Sequence, residues 1–395
     1  MSKYLDKNIS KIILIFIFLQ PIIDLLTSIS INYLHLTISV GIVVRSLFLV
    51  LIIYYYVFIR KISKKQLMYL LGILVFSLSF IIFIYLSKEP MDSNIVSLIK
   101  YLYFIILLIL IDSKDLKISK RNLFYIALIY ILLIFVPRML SLDFNSYREG
   151  NIGSVGIFNS GNEINAILVF LLPLYLTNLL KEQSLAYRLI FFAVMAYVSL
   201  LTGTKVLLFF FLLITLIKIL PETKKLSNKA KIVSLIGVGI TCALLVILIP
   251  KTNFYHNIVL SLEYNNINSF KDIFSYNFLN NVIFHERLTF LVNNFNIYIN
   301  SGIRSILFGI GLTSNSILLK EVEMDLYDIL ITFGIIGTLL LVIPVIKYLL
   351  SLNKQDKDLI IGTIFLLIVS IISGHVLLSP AVSIYLIIGL KNRIE

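Results

Sequence analysis

Cysteine is almost absent from this 395-residue chain, and charge is scarce. The one thiol, Cys242, lies in an apolar run and can form no internal disulfide, so a long loop must hold its shape by packing and hydrogen bonding alone. Redox chemistry is not expected. Charged residues are 14% of the chain, against about 25% in a soluble domain, so no stretch reads as a soluble domain. There is no Walker phosphate loop, no His or Cys cluster at metal-ligand spacing, and no Asp-x-Asp in a segment expected outside the membrane. Were a phosphate bound, side-chain cations would have to neutralise it.

Apolar residues, by contrast, make up 59% of the chain, and the mean hydropathy is +0.98. Apolar runs near the length of about 20 residues needed to cross a bilayer core recur from Ile12 to Leu390. The first, Ile12 to Leu26, follows Lys3, Lys7 and Lys11 but lacks a small-residue cleavage site, so it is expected to be a retained span. The pattern predicts an all-α, polytopic membrane helix bundle of about twelve spans, at roughly 11–28, 38–59, 66–86, 95–111, 123–142, 163–180, 188–202, 204–220, 232–250, 325–349, 359–375 and 378–390. Nine spans fill 1–250, a large loop covers 251–324, and three spans fill 325–395.

The formal net charge of +13 is placed where a membrane protein needs it, which argues against nucleic acid as a partner. Arg60, Lys61, Lys64 and Lys65, then Lys114, Lys117, Lys120 and Arg121, then Lys224, Lys225, Lys229 and Lys231, and finally Lys391 and Arg393 fall in alternate loops. By the positive-inside rule those loops are cytoplasmic, both termini are cytoplasmic, and the loop from Lys251 to Met324 faces outward.

Two segments interrupt the short loops: Asp143 to Asn162, and that large loop. In the latter, Phe284, Leu288, Leu291, Phe295 and Ile299 recur at helical spacing, predicting an amphipathic helix on the outer leaflet or over a cavity. At 100° per residue Arg287 and His285 lie about 160° apart, so they share a ligand only if the helix starts after His285. His285 otherwise reads as a polar N-terminal residue. Glu321, Asp325 and Asp328 align at i, i+4, i+7, with Glu323 between them. A helix N-terminus favours acids, yet four in eight residues exceed what capping needs, leaving a base or a hydroxyl acceptor open. Arg45 and Lys100 lie deep in apolar runs, as functional groups or as ion-pair partners of Asp24. Arg138, Arg148, Lys205 and Arg287 fall at one expected depth, suited to a lipid diphosphate or to snorkelling.

Several segments resemble the O-antigen ligase and polysaccharide polymerase superfamily of bacterial envelopes. They are Gln20-Pro21-Ile22-Ile23-Asp24, Gly156-Ile157-Phe158-Asn159 with Gly161-Asn162-Glu163, Leu201-Thr202-Gly203-Thr204-Lys205, Arg287, Phe308-Gly309-Ile310-Gly311, Glu323-x-Asp325 leading to Gly334-x-x-Gly337, and Gly374-His375. The resemblance implies a membrane glycosyltransferase that takes undecaprenyl-diphosphate-linked oligosaccharide as donor and needs no metal, nucleotide sugar or other cofactor. It implies companions in flippase and chain-length regulator proteins. It makes Arg287, Glu323 and Asp325 the expected catalytic residues, with Arg148, Lys205, Arg45, Arg138, Asn162 and His285 as substrate contacts. The ligase pattern has a His eleven residues before the first Gly of Gly-x-x-Gly; that position here is Glu323, which favours the polymerase branch, of the kind that builds Gram-positive-type surface polysaccharide. A flippase or other transporter remains the main alternative, and a non-catalytic assembly factor another.

Overall fold

A computed structural model describes residues 2–36, 39–145, 153–181, 184–225, 275–312, 321–352 and 356–392, with residues 255, 259, 262 and 263. Among these the chain is all-helical, without strands. In order the helices are α1 (Ser2–Phe18), α2 (Gln20–Asn32), α3 (Val40–Tyr54, running on through a π-helical turn, Tyr55–Ile59), α4 (Lys64–Leu86), α5 (Met91–Leu110), α6 (Lys120–Met139) and α7 (Gly161–Lys181). Then come α8 (Leu185–Leu201), α9 (Lys205–Lys225), α10 (Arg287–Asn300), α11 (Ile303–Phe308), α12 (Asp325–Leu349), α13 (Lys357–Ile372) and α14 (Pro380–Lys391).

Six described helices are long and apolar enough to cross a membrane: α3 with its π turn, α4, α5, α6, α7 and α12. The pair α1–α2 adds a seventh as one broken span, and the apolar α8 and α14 are shorter. The expected span at 232–250, with Cys242, lies outside the described residues.

Serine marks where these helices begin. The hydroxyls of Ser39, Ser63, Ser119, Ser184 and Ser379 each accept the backbone N–H three residues on, meeting one of the donors that a helix start leaves open. Proline shapes the helices from within. Pro21 follows a 48° bend between α1 and α2. Pro137 lacks the N–H that would bind Leu133 O, and that carbonyl instead accepts from Ile157 at 3.4 Å, stitching Gly156-Ile157-Phe158-Asn159 to α6. Pro344 likewise frees Leu340 O, which accepts the Tyr69 hydroxyl of α4.

Helix α7 is the central post, buried at every position from Ile164 to Leu176, with α6, α9 and α13 around it. Chain alternation gives the bundle two ends. At one, Arg60 pairs with Asp112 (3.3 Å) and Asp115, Lys120 with Asp356 (2.6 Å) and Asp358 (3.1 Å), and Lys218 with Asp358. At the other, Asn32 donates to Asn159 (3.3 Å), Asn94 exchanges two bonds with Leu312 (2.7 and 2.9 Å), and Ser154 N–H donates to Leu201 O (2.7 Å).

The glycine motifs at this second end are one packing device. Helix α12 breaks at Gly334, with φ of 67°. A Cβ there would lie 2.4 Å from Gly309 N, and one on Gly309 would lie 2.0 Å from Thr332 O. The close approach lets Ile310 and Gly311 donate to Ile331 O (2.9 Å) and Thr332 O (3.2 Å), carbonyls that the break releases.

Candidate functional site

The large-loop helix starts at Arg287, preceded by His285 and Glu286 in left-handed conformation, with φ of 49° and 65°. The helical-wheel separation of His285 from Arg287 therefore does not apply, since His285 precedes the helix; its side chain is exposed. The amphipathic stripe divides. Tyr298 is buried with Leu291 packed beside it, whereas Phe295 and Ile299 are exposed, as an interfacial helix requires. The Tyr298 hydroxyl donates to Ile306 O at 2.7 Å, tying α10 to α11, and burial raises its pKa.

Across the loop, Arg287 Nη2 donates to Glu323 Oε2 at 2.6 Å, and the two side chains are 13% and 32% exposed. The Arg287 Nε is buried and has no partner among the described residues, which leaves the guanidinium a donor to spare there. Lys205 opens α9 directly after the tight turn at Gly203 (φ 67°) and lies within the electrostatic reach of Arg287. One cation thus pairs with a carboxylate while a second lies within electrostatic range, the three drawn from distant parts of the chain. Glu323 owes its position to a left-handed backbone (φ 59°) packed against Gly374, where a Cβ would lie 2.7 Å from Glu323 O.

The other acids serve a different end. Asp325 is 2% exposed, and its Oδ2 accepts the N–H groups of Val376 and Leu377, both at 2.8 Å. Asp328 accepts from Val322 and Met324, both at 2.9 Å. The alignment at i, i+4, i+7 does not form, because the helix begins only at Asp325. Asp325, expected in the chemistry beside Glu323, is placed with one oxygen holding the turn after His375.

Arg45 lies apart from this group. It pairs with Asp24, and Gln20 Oε1 accepts from its Nε (3.2 Å) and Nη2 (3.0 Å). Asp24 Oδ2 also accepts the Tyr130 hydroxyl at 2.7 Å. Gln20-Pro21-x-x-Asp24 is therefore a bent clamp on a buried guanidinium. Glu163 Oε1 accepts from Ser379 at 2.6 Å, joining α7 to the start of α14. Arg138, half exposed, pairs with Asp143 at 3.2 Å. Asn162 is half-buried in the first turn of α7, and Arg148 lies outside the described residues. Among the described residues no three His, Cys, Asp or Glu side chains converge as metal ligands.

The profile of the O-antigen ligase like membrane proteins matches residues 6–273 and 263–394, nearly the whole chain. The chain belongs to this family. No curated protein matches it. Membership in the O-antigen ligase-like family is consistent with a glycosyltransferase-type membrane enzyme of polysaccharide biosynthesis acting on a lipid-linked oligosaccharide. Sequence reasoning passed over Tyr103, Tyr130 and Tyr385, because an aromatic residue inside an apolar run reads as core. It gave Glu163 no role; the signal was an acid two residues past a helix start, opposite a Ser-Pro cap.

Proposed function

We propose that this protein polymerises undecaprenyl-diphosphate-linked repeat units on the outer face of the cytoplasmic membrane. The observation that carries the reading is the Arg287–Glu323 contact with Lys205 beside it, at the end of the bundle away from the paired cations. An acceptor hydroxyl attacks the donor's anomeric carbon, a C–O bond forms, and the bond to the lipid diphosphate breaks. Glu323 takes the hydroxyl proton. Loss of the Glu323 charge frees Arg287 to follow the negative charge growing on the leaving diphosphate, so acid and cation work as one unit. Lys205 adds charge, and Asp325 keeps the turn after His375 in place behind Glu323.

The departure from the ligase pattern, an acid where that pattern has His, supports polymerisation over transfer to a separate acceptor, and the acid can still receive the proton. Incubating the purified protein with a lipid-diphosphate repeat unit tests the reading. A ladder of longer glycans is expected. A single acceptor-linked product would make it a ligase, and translocation without product would make it a carrier.

A further inference from the structure

Helices α2, α3 and α5 and the starts of α7 and α14 line an open-sided cavity of about 220 Å³ that the proposed chemistry does not use. It runs from the Ser39 cap down to Ser46 on α3, a depth of about 10 Å at 1.5 Å per residue. Asp24, Arg45, Ser46, Lys100, Tyr103 and Glu163 supply its polar surface. The Tyr103 hydroxyl on its wall is buried and makes no hydrogen bond among the described residues, which leaves a donor and an acceptor for an occupant.

Charge decides what kind of occupant fits. Asp24 and Arg45 neutralise one another, Glu163 carries a negative charge turned to Ser379, and Lys100 makes no ion pair among the described residues. The two acids and two bases that line it cancel, so a diphosphate placed here would gain no net attraction. An uncharged polyol would meet alternating donors and acceptors. The volume is below the roughly 300 to 1,000 Å³ of pockets that take drug-sized ligands, so it admits one ring rather than a repeat unit. The cavity also lies within glycan reach of Glu323. Val376 N is 2.8 Å from the Asp325 carboxylate, and Pro380, which lines the cavity, is four residues further on, at most about 14 Å away.

We propose that this cavity binds one uncharged, hydroxyl-bearing sugar ring of the lipid-linked glycan, with Tyr103 and Ser46 hydrogen-bonding its hydroxyls beside the Asp24–Arg45 pair. The inference rests on the glycan reading above, and its test needs no turnover. In a Cys242→Ser background, Ser46→Cys is treated with a small methanethiosulfonate, with and without methyl glycosides of glucose, galactose and N-acetylglucosamine at tens of millimolar. At least one glycoside is expected to slow labelling several-fold, pyrophosphate is not, and adding Tyr103→Phe is expected to weaken protection about 3- to 10-fold without altering thermal stability. Slowing by pyrophosphate, or by no glycoside at all, would overturn the sugar site. Absence of a glycan ladder together with glycoside protection would overturn the polymerase reading and leave the sugar site standing.

Discussion

The two ends of the bundle handle charge and backbone in opposite ways. At the basic end Arg60, Lys120 and Lys218 are each matched by aspartates, and Lys391 caps Ile111 O at 2.5 Å. At the other end Arg287 keeps a buried Nε with no partner among the described residues, and Lys205 is held within reach of a like charge. Backbone strain follows the same division. Of the residues with positive φ, Lys61 alone belongs to the basic end among the described residues, whereas His285, Glu286, Glu323, Gly334, Gly374 and His375 crowd the other. Strain and incompletely satisfied charge cost stability, and they persist where the surroundings enforce them for function. One end is held by matched ion pairs, and the other carries the site proposed for the chemistry.

The sharpest way to break this comparison is all-or-none. Asn277→Cys in a Cys242→Ser background is expected to react with an impermeant thiol reagent on intact spheroplasts, because its loop belongs to the end without the lysine clusters. Labelling only after permeabilisation would put the proposed site on the cytoplasmic face. Next in size, Glu323→Gln is expected to lower turnover about 10²- to 10⁴-fold with little effect on donor binding, as loss of a general base does. Full polymer length and rate in that variant would reduce Glu323 to a partner for Arg287.

At the anchoring end the same kind of change should cost stability and spare turnover. Asp358, whose side chain is 4% exposed, sits between Lys120 and Lys218. Asp358→Asn leaves both cations without their shared counter-charge and is expected to cost about 3 kcal/mol in detergent unfolding, with the rate per folded molecule unchanged. A loss of rate at normal stability would mean that the two ends are coupled. The smallest effect expected is that of Tyr69→Phe, about 0.5 to 1.5 kcal/mol, since only the bond to Leu340 O is lost. In a Pro344→Ala background, where an N–H is restored to that carbonyl, the cost should shrink; an equal cost in both would refute the proline explanation.

Much of the scaffold was legible in the sequence, because apolar runs of spanning length and the serines before them follow directly from the bilayer and from helix capping. The ion pair of Arg45 with Asp24 was also legible, since a buried guanidinium needs an acid and few lie at that depth. The different partners of Glu323, Asp325 and Asp328 were not. Helical periodicity put the acids on one face, but contact with Gly374 forces Glu323 into a left-handed conformation and starts the helix at Asp325. The bend at Leu19 and the break at Gly334 were hidden for the same reason: Gly and Pro mark where a backbone can turn, and tertiary contacts decide whether it does.

The account stands most directly on Arg287, read here as a donor-diphosphate contact and otherwise a headgroup anchor. Lysine separates the two, because an anchor needs only charge on a long stem while bidentate phosphate recognition needs the planar guanidinium. The decisive measurement is the polymerisation rate of Arg287→Lys at saturating donor. The account predicts a normally inserted, folded protein slowed about 10²- to 10³-fold, as when a transition-state charge loses its preorganised donor; a near-normal rate would contradict it.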